Sequence, residues 1–347
     1  MGADIPISAV ETCLGEYGAV GAVNAIAPMR GAFHNTLYRI TAVTGELYLK
    51  VLSTHVVEST EERYEYIAAV MERVRGTGVE VPLPIRNRRG LVLTACGPFK
   101  AVLSAAVGGE PFEEGELAHQ EAAGRSLGAF HEATCDLRPG EGSWLGELGA
   151  YLLRDASMVG ALPQTPDGAA ARERFGELLD WSRRIAADLE ACGYGRLPRA
   201  VIHSEYCGKH LRSSAPRMRG DEVCGILDFE YTHRNARAVD VGLALGRLFC
   251  VGREAGPDGP ARARAFLEGY GSSTRPLSGE ELAALPVLVK TWDFECITYW
   301  VHQMAGRGDR TAPVDMGARI ESYLGSVVWW EEHGGECAEA LARVGGA

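Results

Sequence analysis

The chain predicts an α+β protein of two lobes, a small β-rich lobe over residues 1–106 and a larger, mainly helical lobe over residues 107–347. Three observations predict it. Short stretches of alternating apolar and polar residues fill the first hundred positions. Long amphipathic stretches fill the remainder. A Gly108-Gly-Glu-Pro111 break separates the two regimes. The composition, 46% hydrophobic and 23% charged over 347 residues, is that of an ordinary globular protein. At roughly 150 residues per domain the length carries two domains or lobes.

The elements follow in order. Asn35 to Thr41 alternates, with Leu37 and the β-branched Ile40 and Thr41. Thr44-Gly-Glu46 is a turn signal, and Leu47 to Leu52 is a second apolar run, so the pair reads as a hairpin. Glu58 to Arg75 reads as a helix, because Ile67, Val70, Met71 and Val74 fall at i, i+3, i+4 and i+7. Gly76 and Gly78 stop it. Val79 to Ile85 is extended, since Pro82 and Pro84 push their predecessors out of the helical region. Leu91 to Thr94 and Ala101 to Ser104 are further strands, giving β-β-α-β-β. Beyond the break, Leu117–Thr134, Ala170–Cys192, Gly279–Gln303 and Met316–Glu332 are long enough to be helices. Two short apolar runs, Ala200–Ile202 and Val223–Leu227, lie among them as strands.

Composition excludes several function classes. A net charge of −11 argues against a dedicated nucleic-acid binder, which shows a basic field. No apolar run reaches the roughly 18 residues of a membrane helix. The N-terminus lacks the basic start and apolar core of a signal peptide. A soluble cytoplasmic protein is expected. Nine cysteines with no Cys-x-x-Cys pair read as reduced, mostly buried thiols. Four lysines stand against thirty-one arginines, which makes each lysine informative.

Three pieces carry chemistry. Lys50 closes the apolar strand Leu47-Tyr-Leu-Lys50. In kinase-type phosphoryl transfer a strand lysine pairs the nucleotide phosphates, and a helix glutamate holds that lysine. The helix that follows offers Glu58, Glu61, Glu62 and Glu65; Glu65 is favoured, with Glu62 close behind. The second piece is Val201-Ile-His-Ser-Glu-Tyr-Cys-Gly-Lys-His-Leu211, an apolar run feeding His203 and Glu205, with four residues between Glu205 and His210. Such a loop supplies a carboxylate that accepts or orients a hydroxyl proton and a neutral group near the metal. The third is Val223 to Glu230, an apolar run that delivers Asp228 in the Asp-Phe-x arrangement whose Asp binds Mg²⁺. Glu230 is placed to reach a second ion.

With these residues in this order, the sequence resembles the aminoglycoside phosphotransferase family, the small-molecule branch of the protein-kinase-like fold. The family signature, His-Gly-Asp, four residues, Asn, then Ile-Asp-Phe/Trp-Glu and a later Asp-Leu-Ala, is met here by His203-Ser-Glu205, His210, Leu227-Asp-Phe-Glu230 and Asp240-Val-Gly-Leu-Ala244. Arg30 to Arg39 looks like the family's nucleotide loop, and Val81-Pro-Leu-Pro84 and Leu127-Gly-Ala-Phe-His131 also match family habits. The likeness spans about residues 20 to 250. Two departures stand out. Glu205 replaces the usual Asp and reaches one methylene further. His210 replaces Asn, and imidazole suits Zn²⁺ or Mn²⁺ better than Mg²⁺.

The resemblance implies a bilobal kinase-like fold with a nucleotide cleft between the lobes. It implies that the loop from Gly31 to Asn35 covers the phosphates of ATP or GTP and that Lys50 pairs them, braced by Glu65. It assigns Mg²⁺ to Asp228, with His210 and Glu230 assisting. Glu205 then orients and deprotonates the acceptor hydroxyl, with His203 beside it as a loop-bracing residue. Asp240 reads as a brace of the catalytic loop or as a helix N-cap. The implied acceptor is a hydroxyl on a small molecule, an antibiotic or a natural-product intermediate, bound by the helical lobe over about 140–195 and 255–305. The aromatic stretch Trp292 to Trp300 reads as helix core or as a wall of that site. A second reading is a Ser/Thr kinase for a peptide precursor, working with a partner enzyme. A third is a catalytically impaired nucleotide-binding scaffold, suggested by Glu205 and His210.

Overall fold

A computed structural model describes residues 5–29, 35–52, 59–113, 115–138, 166–206, 216–250 and 259–291, with a few residues between 325 and 339. The first lobe is an antiparallel five-stranded sheet in the order β1-β2-β3-β5-β4. Its strands are β1 (Val23–Met29), β2 (Thr36–Ala42), β3 (Gly45–Val51), β4 (Thr94–Cys96) and β5 (Phe99–Ala105). The predicted hairpin is β2–β3, joined in register from Thr36↔Val51 to Ala42↔Gly45. The predicted strand at Leu91–Thr94 lies later, at β4, because Val92 and Leu93 give their amides to the Glu61 carboxylate at 2.6 and 3.1 Å instead of to a ladder.

Alternation decides which way each side chain faces. Tyr38, Ile40, Leu47, Leu49, Val51, Ala101 and Leu103 bury one face of the sheet. There they pack on Val10, Cys13 and Leu14 of a helix the sequence reading did not find, α1 (Ile7–Gly15). Lys50 lies between Leu49 and Val51 and so points to the other face, opposite Leu37 and Val102 in register. That is the face turned toward the second lobe.

α2 (Glu61–Arg75) starts on Thr60, whose side chain accepts the Arg63 amide at 3.2 Å. Its buried face, from Tyr64 through Val74, belongs to a second core shared with the helical lobe, which includes Phe130, Tyr206, Phe229 and Leu245. The lobes are also stitched by backbone. Glu80 donates to the Cys224 carbonyl at 2.8 Å and accepts the Ile226 amide at 2.9 Å, laying an N-lobe segment along the strand that leads to Asp228.

The second lobe holds α3 (Leu117–Ala133), α4 (Pro166–Ala191), α5 (Arg237–Cys250) and α6 (Gly259–Ser273), followed by helical residues 279–291. Its short strands make two small sheets. β7 (Arg199–Ile202) pairs with β10 (His233–Ala236). β6 (Glu110–Pro111), β8 (Arg217–Arg219) and β9 (Glu222–Gly225) form the other. Arg237 and Glu281 close the base of this lobe with a buried pair at 2.7 Å. The predicted helix at Met316–Glu332 and the aromatic stretch from Trp292 to Trp300 fall largely or wholly outside the described residues. The thiols of Cys13 and Cys96 are free and buried, and burial pushes Cys13 up to about 12.

α3 and α6 cross with their backbones in contact. A Cβ on Gly124 would overlap the Phe266 carbonyl, and one on Gly269 the Glu121 carbonyl. Gly124→Ala is therefore expected to lower the unfolding free energy by about 2 kcal/mol, because overpacking a closed contact forces backbone to move. Gly15→Ala, with nothing within 4 Å of the new carbon, is the control. Urea midpoints of the two variants check it.

Candidate active site

Two strands of the helical lobe deliver the site. β7 ends in His203-Ser204-Glu205, and β9 leads through Ile226 and Leu227 to Asp228-Phe229-Glu230. Ser204 and Asp228 are the two non-glycine residues with positive φ among the described residues, at 71° and 68°. Left-handed backbone at such residues costs of order 1 kcal/mol or more and persists where the surroundings enforce it. Here it turns each chain sharply at the end of a strand and leaves the acidic side chains at the cleft.

Asp240, in the first turn of α5, enforces the first turn. One carboxylate oxygen accepts the Ser204 amide at 2.9 Å; the other accepts the His203 amide at 2.6 Å and lies 3.1 Å from His131 Nε2. Tyr270 Oη is 2.8 Å from His131 Nδ1, so that ring is fixed at both nitrogens. Burial works against the Asp240 charge, yet the bonds from His131 and the loop hold its carboxyl below the usual range. Asp240 lies inside α5 and is not its N-cap; it is the brace of the loop.

His203 is fully buried. Its Nε2 bonds the Leu227 carbonyl at 2.9 Å, and its Nδ1 accepts the Glu205 amide at 3.3 Å. Phe130, Tyr206 and Phe229 surround the ring edge-on, at 5.1–6.0 Å between centroids. Both nitrogens are engaged, so the His203 ring ties the two loops together, in keeping with the loop-bracing place the resemblance implies. Ser204 adds a second tie, with Oγ at 3.3 Å from the Tyr231 carbonyl and 3.2 Å from His233 Nδ1. Glu205 is half-buried at the mouth of the turn.

Lys50 crosses from the sheet to this segment. Its Nζ is 3.2 Å from Asp228 Oδ1 and 2.7 Å from Glu230 Oε1. Burial alone would lower the ammonium's pKa; the two carboxylates overcome it and hold Lys50 above the ordinary lysine value. Burial raises both acids, and Lys50 pulls Asp228 back below its usual range. Glu230, facing the Asp228 charge, stays above its own. One ammonium is shared between two acids, and Glu230 is the one held toward its protonated form. Hard oxygen donors suit Mg²⁺, so Asp228 and Glu230 fit the ion that the sequence implies.

Glu65 does not hold Lys50. It grips Arg86 at 2.5 and 2.7 Å on the exposed side of α2. The helix turns about 100° per residue, which carries Glu65 away from the cleft, while the buried Tyr64 beside it faces Lys50 and Glu230. Asn35 is half-buried at the start of β2. Gly31 and His210 lie outside the described residues. The sequence reading missed Arg63 and His233. Arg63 carried a signal, since a cation in the first turn of a helix opposes its dipole. His233 carried none, because its role depends on Ser204, which lies far from it along the chain.

Known proteins give the family and the fold. The family model described as the phosphotransferase enzyme family matches residues 25–280. Homoserine kinase of Methylobacillus flagellatus is 26% identical over 270 residues, 78% of this chain and 76% of that protein. Among solved structures, the aminoglycoside phosphotransferase of Alicyclobacillus acidocaldarius superposes with a TM-score of 0.63 over 99% of this chain and 98% of that one, at 14% identity. An amicoumacin kinase solved with AMP-PNP, Ca²⁺ and Ami gives 0.65 over 94% and 93%, also at 14% identity. At that identity the two structures establish a shared kinase-like fold.

His233 makes the site's scaffold acid-sensitive. Its Nδ1 lies 2.8 Å from the Tyr231 carbonyl and its Nε2 3.3 Å from Asn235 Nδ2. Burial keeps the imidazole neutral and pulls its pKa down to about 4. In the unfolded chain an imidazole titrates near about 6.5, so between those values the unfolded state binds the extra proton. The stability held by neutral His233 is whole above pH ~6.5 and is lost as pH falls toward ~4, by about 2 kcal/mol from pH 7 to pH 5. His233→Gln should remove that part of the acid sensitivity. Urea unfolding of both proteins at pH 7 and pH 5 checks it.

Proposed function

The chain belongs to the phosphotransferase enzyme family, and we propose that it moves the γ-phosphate of a nucleoside triphosphate to the hydroxyl of a small, amine-bearing biosynthetic intermediate, homoserine being the first acceptor to test. One observation carries the reading. Lys50 and the two carboxylates of Asp228 and Glu230 meet beside a loop that presents Glu205, and the same His203 side chain ties both segments.

Each residue then has a task that its surroundings suit. Glu205 accepts the proton of the acceptor hydroxyl or orients that hydroxyl toward the γ-phosphorus. Asp240 and the Ser204 hydroxyl fix the turn from which it projects. Lys50 neutralises phosphate charge, a role open to it because its present partners are acids that also take a metal. Asp228 and Glu230 would hold Mg²⁺, which supplies charge neutralisation on the phosphates when bound. The positioning of charge is most of the catalysis in this chemistry, so rigid placement of these groups matters more than the basicity of any one of them. A homoserine kinase relative aligning over three-quarters of both chains supports an amino-alcohol acceptor. The net charge of −11 is compatible with such a cationic group.

The test is phosphate transfer from ATP or GTP with Mg²⁺, offered homoserine, a set of amine-bearing antibiotics and a Ser/Thr peptide panel. Transfer to a small molecule is expected, with Glu205→Gln lowering kcat by about 100-fold or more while nucleotide KM changes little. Lys50→Ala and Asp228→Ala should abolish transfer with the fold intact by circular dichroism. Transfer to peptides alone would move the acceptor to the second reading. Full turnover by Glu205→Gln would remove Glu205 from the chemistry.

A further inference from the structure

α2 is the helix from which a lysine-holding carboxylate is expected, and among the described residues none of its carboxylates takes that place; Glu58, ahead of it, lies outside the described residues. Glu61 accepts the amides of Val92 and Leu93, Glu62 faces solvent and Glu65 pairs with Arg86. What α2 sends into the cleft is Arg63. The residue is 8% exposed, and its guanidinium donates to the backbone carbonyls of Glu230 at 2.8 Å and Thr232 at 2.5 Å. The Tyr66 ring lies 5.7 Å from the guanidinium carbon.

Two costs attach to that placement. A cation in the first turn of a helix opposes the helix dipole. A buried charge also gives up its hydration. Burial pulls the group down to about 10, which still leaves it charged at neutral pH. The offset is a pair of charge-assisted bonds, both donated by one terminal nitrogen of the rigid guanidinium. The two carbonyls it grips flank Tyr231, in the turn that starts at Asp228 and carries Glu230 onto Lys50.

We propose that Arg63 is a positioning residue, clamping the backbone at Glu230 and Thr232 so that the Asp228 and Glu230 carboxylates are set for the divalent cation that accompanies the nucleotide. This rests on the phosphotransferase reading above. In this chain the clamp replaces the helix carboxylate as the link between α2 and the site. It acts on the acids and not on the lysine, so its loss should be felt where metal is needed and spared where it is not.

The test uses the full chain with Arg63→Met and Arg63→Lys, both checked for folding by circular dichroism and thermal unfolding. Two readouts are taken: amide hydrogen exchange over residues 227–233 without ligands, and ATP affinity by calorimetry with and without Mg²⁺. In Arg63→Met the exchange should rise at least tenfold. ATP binding in Mg²⁺ should weaken at least tenfold, while binding without Mg²⁺ stays within threefold. Arg63→Lys, which keeps the charge and part of the donation, should fall between. Equal weakening with and without Mg²⁺, or a folded Arg63→Met that binds within twofold of wild type, would overturn the clamp. If Arg63→Met does not fold, Arg63→Lys decides alone: an Mg²⁺-selective loss of threefold or more supports the clamp, and no selective loss overturns it. A wild-type chain that binds no ATP would instead remove the phosphotransferase reading. The exchange comparison then decides the clamp by itself, an unchanged rate overturning it.

Discussion

Lys50 between Asp228 and Glu230 is the contact around which the two lobes are arranged. Two carboxylates brought together in a half-buried cleft repel each other, and each would drift toward protonation without a nearby cation. The sheet supplies that cation from its far side, because strand alternation leaves Lys50 opposite the apolar face that α1 covers. A cluster of this kind is useful in phosphoryl transfer for the same reason that it is uncomfortable at rest. Its clustered carboxyl oxygens can take a divalent ion, and its lysine can turn to phosphate.

Such a cluster works only if the acids are held still, and the structure spends many bonds on that. The segment from Leu227 to His233 is fastened by His203 and Ser204 from the neighbouring strand and by Arg63 from α2. Glu80 lies along the strand just before it. The strained backbone at Ser204 and Asp228 is part of the same economy. Each residue sits where a strand must stop abruptly and expose an acid. At Ser204 the stabilising bonds come from the Asp240 carboxylate buried behind it.

The chain's local patterns carried much of the architecture. The β2–β3 hairpin, α2, α3 and the two apolar strands that feed the loops were legible from periods of 2 and 3.6 alone. The catalytic segment and the Asp-Phe-Glu segment were legible because an apolar run followed at once by an acid is a local feature. Two elements at the start were not. α1 is nine residues long, follows a proline and has no acid in its first turn, so it lacks the usual entry signals. β1 has exposed residues at both ends and little alternation to read. β4 was placed a few residues early because Val92 and Leu93 look like strand but spend their amides on Glu61.

Which residues are candidates for charge and metal chemistry was written in their types and order along the chain. Which of them would touch was not. Lys50 and Asp228 are 178 residues apart, and four glutamates near Lys50 in sequence looked like better partners than the one that bonds it. The rotation of α2 about its own axis decided between them. It turned Glu65 outward to Arg86 and Arg63 inward to the turn at Glu230, a choice of a single angle made by packing its Ile67, Val70 and Val74 face against the helical lobe. Spacing along a chain fixes which residues share a helix face. The direction in which that face points is set by the core it must bury, and that core is assembled from both lobes.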